Sequence, residues 1–255
     1  MSTYGIQPKE IECIRPAPRN PALTHKRPFT ISIPASKDAS VLEDEQAREK
    51  VRIYTDGSAQ DSKVGAAAIL LRDGEPPRML HYHLGKSTQH TVHEAELTGM
   101  LLGLQLIKTD RKGRTSYAIG VDNQAALSAL NVVKIAPGQH ITDAILETAS
   151  QIKKSRNSSS YSLRFRWTAG HVGIAGNEQV DEEAKKAAEG TTLPKKELPP
   201  LLRKKLPHNS SALKQQKKSQ LKLRWQQEWK ASPWYSKIKN LDSSSPPNKF
   251  VKLIC

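Results

Sequence analysis

The stretch Val51-Arg52-Ile53-Tyr54-Thr55-Asp56-Gly57-Ser58 is a short apolar run that ends on an acid and a glycine. The β-branched and aromatic content of Val51–Thr55 predicts a strand with Asp56 at its end. Val64–Leu71 predicts a second strand, in which Gly65, Ala66, Ala67 and Ala68 leave room for close packing. Asp73-Gly74 is a turn signal and Met79–Leu84 reads as a third strand, so the three form an antiparallel meander. Further along, Val92, Ala95, Gly99, Leu102 and Leu106 recur at steps of three and four, the period of a helix. Ser116–Val121 is a fourth strand, Ala125–Leu130 a short helix, Ile141–Ile152 a helix with one apolar face, and Tyr161–Trp167 a fifth strand. Asn177 is placed to cap a last helix reaching Ala188. Three consecutive strands followed by helix–strand repeats specify an α/β domain: a mixed five-stranded sheet, antiparallel first and parallel afterwards, flanked by helices.

Asp56 has three counterparts. Glu96 lies in Glu94-Ala95-Glu96-Leu97, Asp122 in Val121-Asp122-Asn123-Gln124, and Asp181 in Gly176-Asn177-Glu178-Gln179-Val180-Asp181, so four acids spread over 126 positions. Two of the motifs end strand-like runs and two lie at or inside helical patterns, which lets distant segments converge on one cluster of oxygens. Carboxylates packed together repel: at about 4 Å and an effective dielectric near 20, each pair costs about 4 kcal/mol. The four motifs contain no Lys or Arg to relieve this, which leaves a hard divalent cation such as Mg2+ as the counter-charge. His81 and His83 share a strand face and His90 and His93 a helix face. Each pair is read as solvated or packed, since no further soft ligands lie nearby.

The charge of +15 is unevenly spread. Residues 1–49 and 50–190 are nearly balanced, whereas residues 191–255 carry 15 Lys and Arg against 3 Asp and Glu. A basic excess without a hydrophobic anchor points to nucleic acid before membrane. The proline-rich residues 1–49 read as a mostly disordered linker, residues 50–190 as the folded domain, and residues 191–255 as a basic tail. Within that tail Leu221, Trp225 and Trp229 mark a short amphipathic helix. Cys13 and Cys255 lie at opposite ends, as in an intracellular chain without disulfides, and no apolar stretch is long enough to span a bilayer. The expected setting is the cytoplasm or nucleus, and the expected state a monomer.

The ordered motifs Thr55-Asp56-Gly57-Ser58, Ala95-Glu96-Leu97, Asp122-Asn123-Gln124, then Trp167-Thr168-Ala169-Gly170-His171-Val172-Gly173 through Gly176-Asn177-Glu178 to Asp181, closely resemble type 1 ribonuclease H. The resemblance covers roughly Val51 to Ala188. Pro28-Phe29-Thr30 before it, and Trp229-Lys230-Ala231-Ser232-Pro233 and Lys249–Ile254 after it, are similar to segments flanking this nuclease in non-long-terminal-repeat retrotransposon polyproteins. The chain is therefore expected to be a fragment of such a polyprotein.

The resemblance implies hydrolysis of the RNA strand of an RNA–DNA hybrid, leaving 3′-hydroxyl and 5′-phosphate ends. It implies two Mg2+ ions, with Mn2+ as a substitute, held about 3.5–4 Å apart. Asp56 would bridge both, Glu96 and Asp122 would complete the site on the leaving-group side, and Asp181 the site on the water side. His171, on a glycine-flanked loop, would assist proton movement or product release, and Glu178 could serve the same late step. Gly57, Ser58, Glu96 and Gln124 are placed to read the RNA 2′-hydroxyl. Val92 and His93 stand where cellular members often carry an Asn pair, and only Val132–Gln139 separates the two middle helices, leaving no basic helical insertion. The Lys-rich tail would supply that charge instead. The competing expectation is a catalytically inactive, nucleic-acid-binding relic of a retroelement.

Overall fold

The computed structural model describes residues 7–14, 27–49, 51–112, 116–131, 135–156 and 161–238. The chain divides into two compact units, Met1–Ser210 and Ser211–Cys255. The first contains β1 (Thr30–Ser32), α1 (Lys37–Glu45), β2 (Val51–Gln60), β3 (Lys63–Arg72), β4 (Arg78–Lys86), α2 (Val92–Lys108), β5 (Ser116–Val121), α3 (Gln124–Asn131), α4 (Gln139–Arg156), β6 (Ser162–Trp167) and α5 (Ala175–Glu189).

The five expected strands pair as anticipated: β2, β3 and β4 antiparallel, and β2, β5 and β6 parallel. A sixth strand, β1, joins the outer edge of β6 in parallel, so the order is β1-β6-β5-β2-β3-β4. Side-chain alternation then sorts the core onto two faces. Ile53, Ala66, Ala68 and Leu70 face one cluster with Leu97, Leu101, Leu104 and Ile145, while Tyr54, Ala67 and Ile69 face another with Val180 and Ala184. Helix α2, backed by α4, covers the first face and α5 the second.

Helix α2 begins with a capping box, in which Thr91 accepts from the Glu94 N–H and Glu94 accepts from the Thr91 N–H. Every residue from Glu94 to Ile107 is buried, because the helix lies between the sheet and α4. Asn177 is not the cap of α5. That helix starts two residues earlier, behind an extended Ile174, and the Asn177 N–H is already spent on the Ile174 carbonyl at 2.9 Å.

The reading of residues 1–49 as a mostly disordered linker is corrected by their described part. Besides β1 and α1, Ile11 bridges His208, and buried Glu12 accepts from the Gly138 N–H at 2.7 Å and the Ser210 N–H at 2.8 Å. The start of the expected tail is also part of the first unit. Leu198, Leu202 and Leu206 enter the main core, and the Leu193 N–H and Thr192 hydroxyl oxygen bond to the free edge of β4 at His81 and His83. Short apolar segments separated by proline carry no periodicity, so sequence pattern alone could not show this packing.

Helix α6 (Ser210–Ala231) starts at the last residue of the first unit and makes up most of the described part of the second, followed by the single turn α7 (Tyr235–Ile238). Helix α6 is longer than the short helix expected there. Leu221 and Trp225 lie one turn apart, but Leu223 points away from both and all three are exposed, so they do not form one buried stripe. The polyprotein-like segment at residues 249–254 lies outside the described residues.

Candidate active site

The register of the sheet delivers the first two acids. Thr55 of β2 pairs with Val121 of β5, so Asp56 and Asp122 follow side by side where that parallel pairing ends, although β2 itself runs on to Gln60, past the strand end expected at Asp56. The strand order reverses here, because the chain runs from β2 outward to β3 and β4 and then crosses back to β5 on the other side of β2, the usual place for a site in an open α/β sheet. Asp122 is the first residue beyond β5, and the adjacent Asn123 caps α3 by accepting from the Ala126 N–H at 3.0 Å.

Glu96 arrives through close packing of α2 on β2. A methyl group on Gly57 would lie 2.4 Å from the Glu96 nitrogen, and one on Gly99 would lie 3.0 Å from the Asp56 carbonyl oxygen. Two glycines thus let helix and strand backbones touch at the level of the acids. Oxygens of Asp56, Glu96 and Asp122 lie within 4.8 Å of one another. Asp181, on the second turn of α5, is outside that trio among the described residues and forms an ion pair with Lys185 at 2.6 Å. Its charge still reaches Asp56 and Asp122 and raises the pKa of both.

Burial and mutual repulsion make the cluster costly to ionise. Burial, with Asp122 and Asp181, pushes the Asp56 carboxyl up to about 7, and burial, with Asp56 and Asp122, pushes Glu96 up to about 9. Asp122 is raised too, first by burial and then by Asp181, against the opposing influence of His171. Glu96 Oε2 is buried without a hydrogen-bond partner, and its Oε1 receives a long bond from Asn123 at 3.4 Å. An all-oxygen donor set with an unpartnered inward oxygen fits a hard divalent cation. Asp56, Glu96 and Asp122 are the residues placed to hold one.

The remaining expected residues fall around this trio. His171 is exposed on the loop between β6 and α5, with a left-handed φ of 57°. Glu178 is exposed and accepts from the Gly173 N–H at 3.1 Å, closing the same loop. Ser58 is half-buried beside Gly57, and Gln124 is exposed at the start of α3. Gly57 is itself buried, with its hydrogen-bearing face against α2, so its contribution is to join Asp56 and Glu96. Two participants went unread in the sequence. Lys185 stands one turn after Asp181, a spacing that was available as a signal, and Asn123 lies within a quoted motif but was given no role.

The family model for RNase H matches residues 48–189. The comparison with curated proteins finds no match. Among solved structures, the chain is similar to the N-terminal RNase H domain of Rv2228c from Mycobacterium tuberculosis, fused to maltose-binding protein: 19% identity, TM-score 0.42, covering 55% of this chain and 93% of that one. It is also similar to RNase H1 from Halobacterium salinarum (16% identity, TM-score 0.40, 56% and 100% covered). LC11-RNase H1 in complex with RNA/DNA hybrid gives 16% identity and a TM-score of 0.41, with 55% and 97% covered.

Proposed function

Because the chain belongs to the RNase H family, with more than half its length in the matched region, we propose that it is a metal-dependent endonuclease that hydrolyses the RNA strand of an RNA–DNA hybrid. The observation that carries the reading is the convergence of Asp56, Glu96 and Asp122 from β2, α2 and the end of β5. Bound divalent ions, Mg2+ or Mn2+ and two in number, supply charge neutralisation and a nucleophile at neutral pH. The cleaved bond leaves 3′-hydroxyl and 5′-phosphate ends.

The chain's own residues divide the remaining work. Asp56, Glu96 and Asp122 would hold cation, and Asp181, paired with Lys185 in the metal-free chain, would complete the ligand set. His171, whose influence opposes the rise in the Asp122 pKa, moves a proton or speeds product release. Ser58 and Gln124, at the rim, meet the RNA ribose, where the 2′-hydroxyl marks RNA. The nuclease is of type 1 and of retrotransposon origin, and it works as a monomer inside the cell, in nucleus or cytoplasm. The basic residues of the tail 191–255 add sequence-independent affinity for the hybrid, which falls as salt rises.

A labelled hybrid incubated with the full chain and Mg2+ tests this. The expected result is RNA-strand cleavage that chelator abolishes and Asp56→Asn lowers by about a thousandfold or more. Binding without cleavage by the unaltered chain would instead favour the inactive-relic reading.

A further inference from the structure

Helix α1 lies outside the family-matched residues 48–189, yet its side chains reach the loop that carries His171. Ser40 is 2% exposed, and its hydroxyl donates to the Trp167 carbonyl at 3.0 Å while accepting from the Ala169 N–H at 2.9 Å. One hydroxyl therefore bridges the backbone on both sides of Thr168, where β6 ends and the loop begins. From the same point the Trp167 indole N–H donates to the Asp122 carbonyl at 2.9 Å, and the Thr168 N–H to the Val121 carbonyl at 2.9 Å. The next residue after Ala169 is Gly170, where a methyl group would lie 3.3 Å from Asp122 Oδ2. His171 follows in a left-handed conformation.

One turn along, α1 is fixed to the sheet by a second contact. Asp44 accepts from the Tyr54 hydroxyl at 2.8 Å and from the Arg166 guanidinium. The Tyr54 ring in turn fills the space beside Gly120 and Gly176, the latter in the first turn of α5, the helix bearing Asp181. A helix N-terminal to the family region is thus tied by hydrogen bonds to β6, β2 and the start of the loop.

We propose that α1 is an added brace for the active-site loop, and that Ser40 is a positioning residue that sets where His171 stands relative to Asp122. Ser40 touches no acid of the cluster, so it acts through the Trp167–Ala169 backbone. The proposal rests on the nuclease reading for its kinetic consequence but not for its structural one.

The test compares the full chain with Ser40→Ala, His171→Ala and the double variant. Amide hydrogen exchange of the segment 167–173 is read first, without metal or substrate. Ser40→Ala should speed exchange there about tenfold or more, with α2 and β2 unchanged. In the hybrid-cleavage assay Ser40→Ala should lower kcat about tenfold with KM unchanged. The double variant should be no slower than His171→Ala alone, since both losses pass through one residue. Unchanged exchange in Ser40→Ala overturns the brace whether or not the chain cleaves. Losses that multiply in the double variant overturn the positioning role, because Ser40 then acts independently of His171. If exchange rises as expected but the unaltered chain cleaves nothing, the nuclease reading fails and the positioning role for His171 fails with it. Far-ultraviolet circular dichroism of every variant at the assay temperature separates a moved loop from a lost fold.

Discussion

At the residue scale the acids of the cluster work against the stability of the metal-free protein. The folded state holds protons on Asp56 and Glu96 that the unfolded chain has already released above the usual carboxylate range. The unfolded chain therefore binds fewer protons, and stability without metal falls as pH rises through the interval from the ordinary glutamate range to about 9, where Glu96 ionises in place. Glu96→Gln should remove much of that slope. In chelator at pH 8 the variant should be about 1–2 kcal/mol more stable, a rise of about 3–6 °C in Tm by differential scanning calorimetry. Lower stability at pH 8 than the unaltered chain would show that burial does not raise the Glu96 carboxyl. Lys185 is the second informative residue, because its ammonium holds Asp181 at 2.6 Å. An exposed pair of this kind is worth about 0.2–1 kcal/mol, so Lys185→Gln should tighten Mg2+ binding by up to about fivefold. Isothermal titration calorimetry measures this, and weaker binding would mean that Lys185 orients Asp181 rather than competing for it.

Elements meet the site through glycines. The approach of α2 to β2 depends on Gly57, where an added methyl group would fall 2.4 Å from one backbone atom and 2.6 Å from another. No rotamer relieves a clash with backbone, so Gly57→Ala must push α2 from the sheet and separate Glu96 from Asp56. A loss of about 3 kcal/mol or more is expected in urea unfolding, together with weaker Mg2+ binding. Unchanged stability and metal affinity would refute the packing. The period-3.6 apolar pattern revealed α2 from the sequence, but its burial on all sides did not show, since Glu94, Thr98 and Gln105 interrupt the apolar set. Two of those polar side chains sit inside because a cap or a neighbouring element receives them. Glu94 closes the capping box, and Gln105 donates to the Glu197 carbonyl at 3.1 Å.

The first unit as a whole is larger than the family region. Residues 7–14, 27–47 and 191–210 supply β1, α1, the Glu12 contacts and three core leucines. Burying Leu198, Leu202 and Leu206 stabilises the fold by about 1.5–3 kcal/mol each, a sum comparable to the net stability of a domain of about 5–15 kcal/mol. A fragment of residues 48–189 should therefore unfold at a much lower urea concentration than one of residues 7–210, with a midpoint about 2 M lower or no cooperative transition. Equal midpoints would show that the flanking segments are not part of the cooperative unit.

The order of strands and helices was legible because residue pattern reports local environment: β-branched and aromatic content for β2, alternation for β6, a three- and four-residue recurrence for α2 and α4. The four acids were legible because each stands in a short motif tied to the end of a strand or the face of a helix. Two features could be decided only by the folded chain. Asp56, Glu96 and Asp122 come within bonding reach of one ion through strand register and glycine contacts, whereas Asp181 lies instead against Lys185. The flanking segments belong to the core because their few apolar residues fill gaps left by other elements, a complementarity that exists only once those elements have packed.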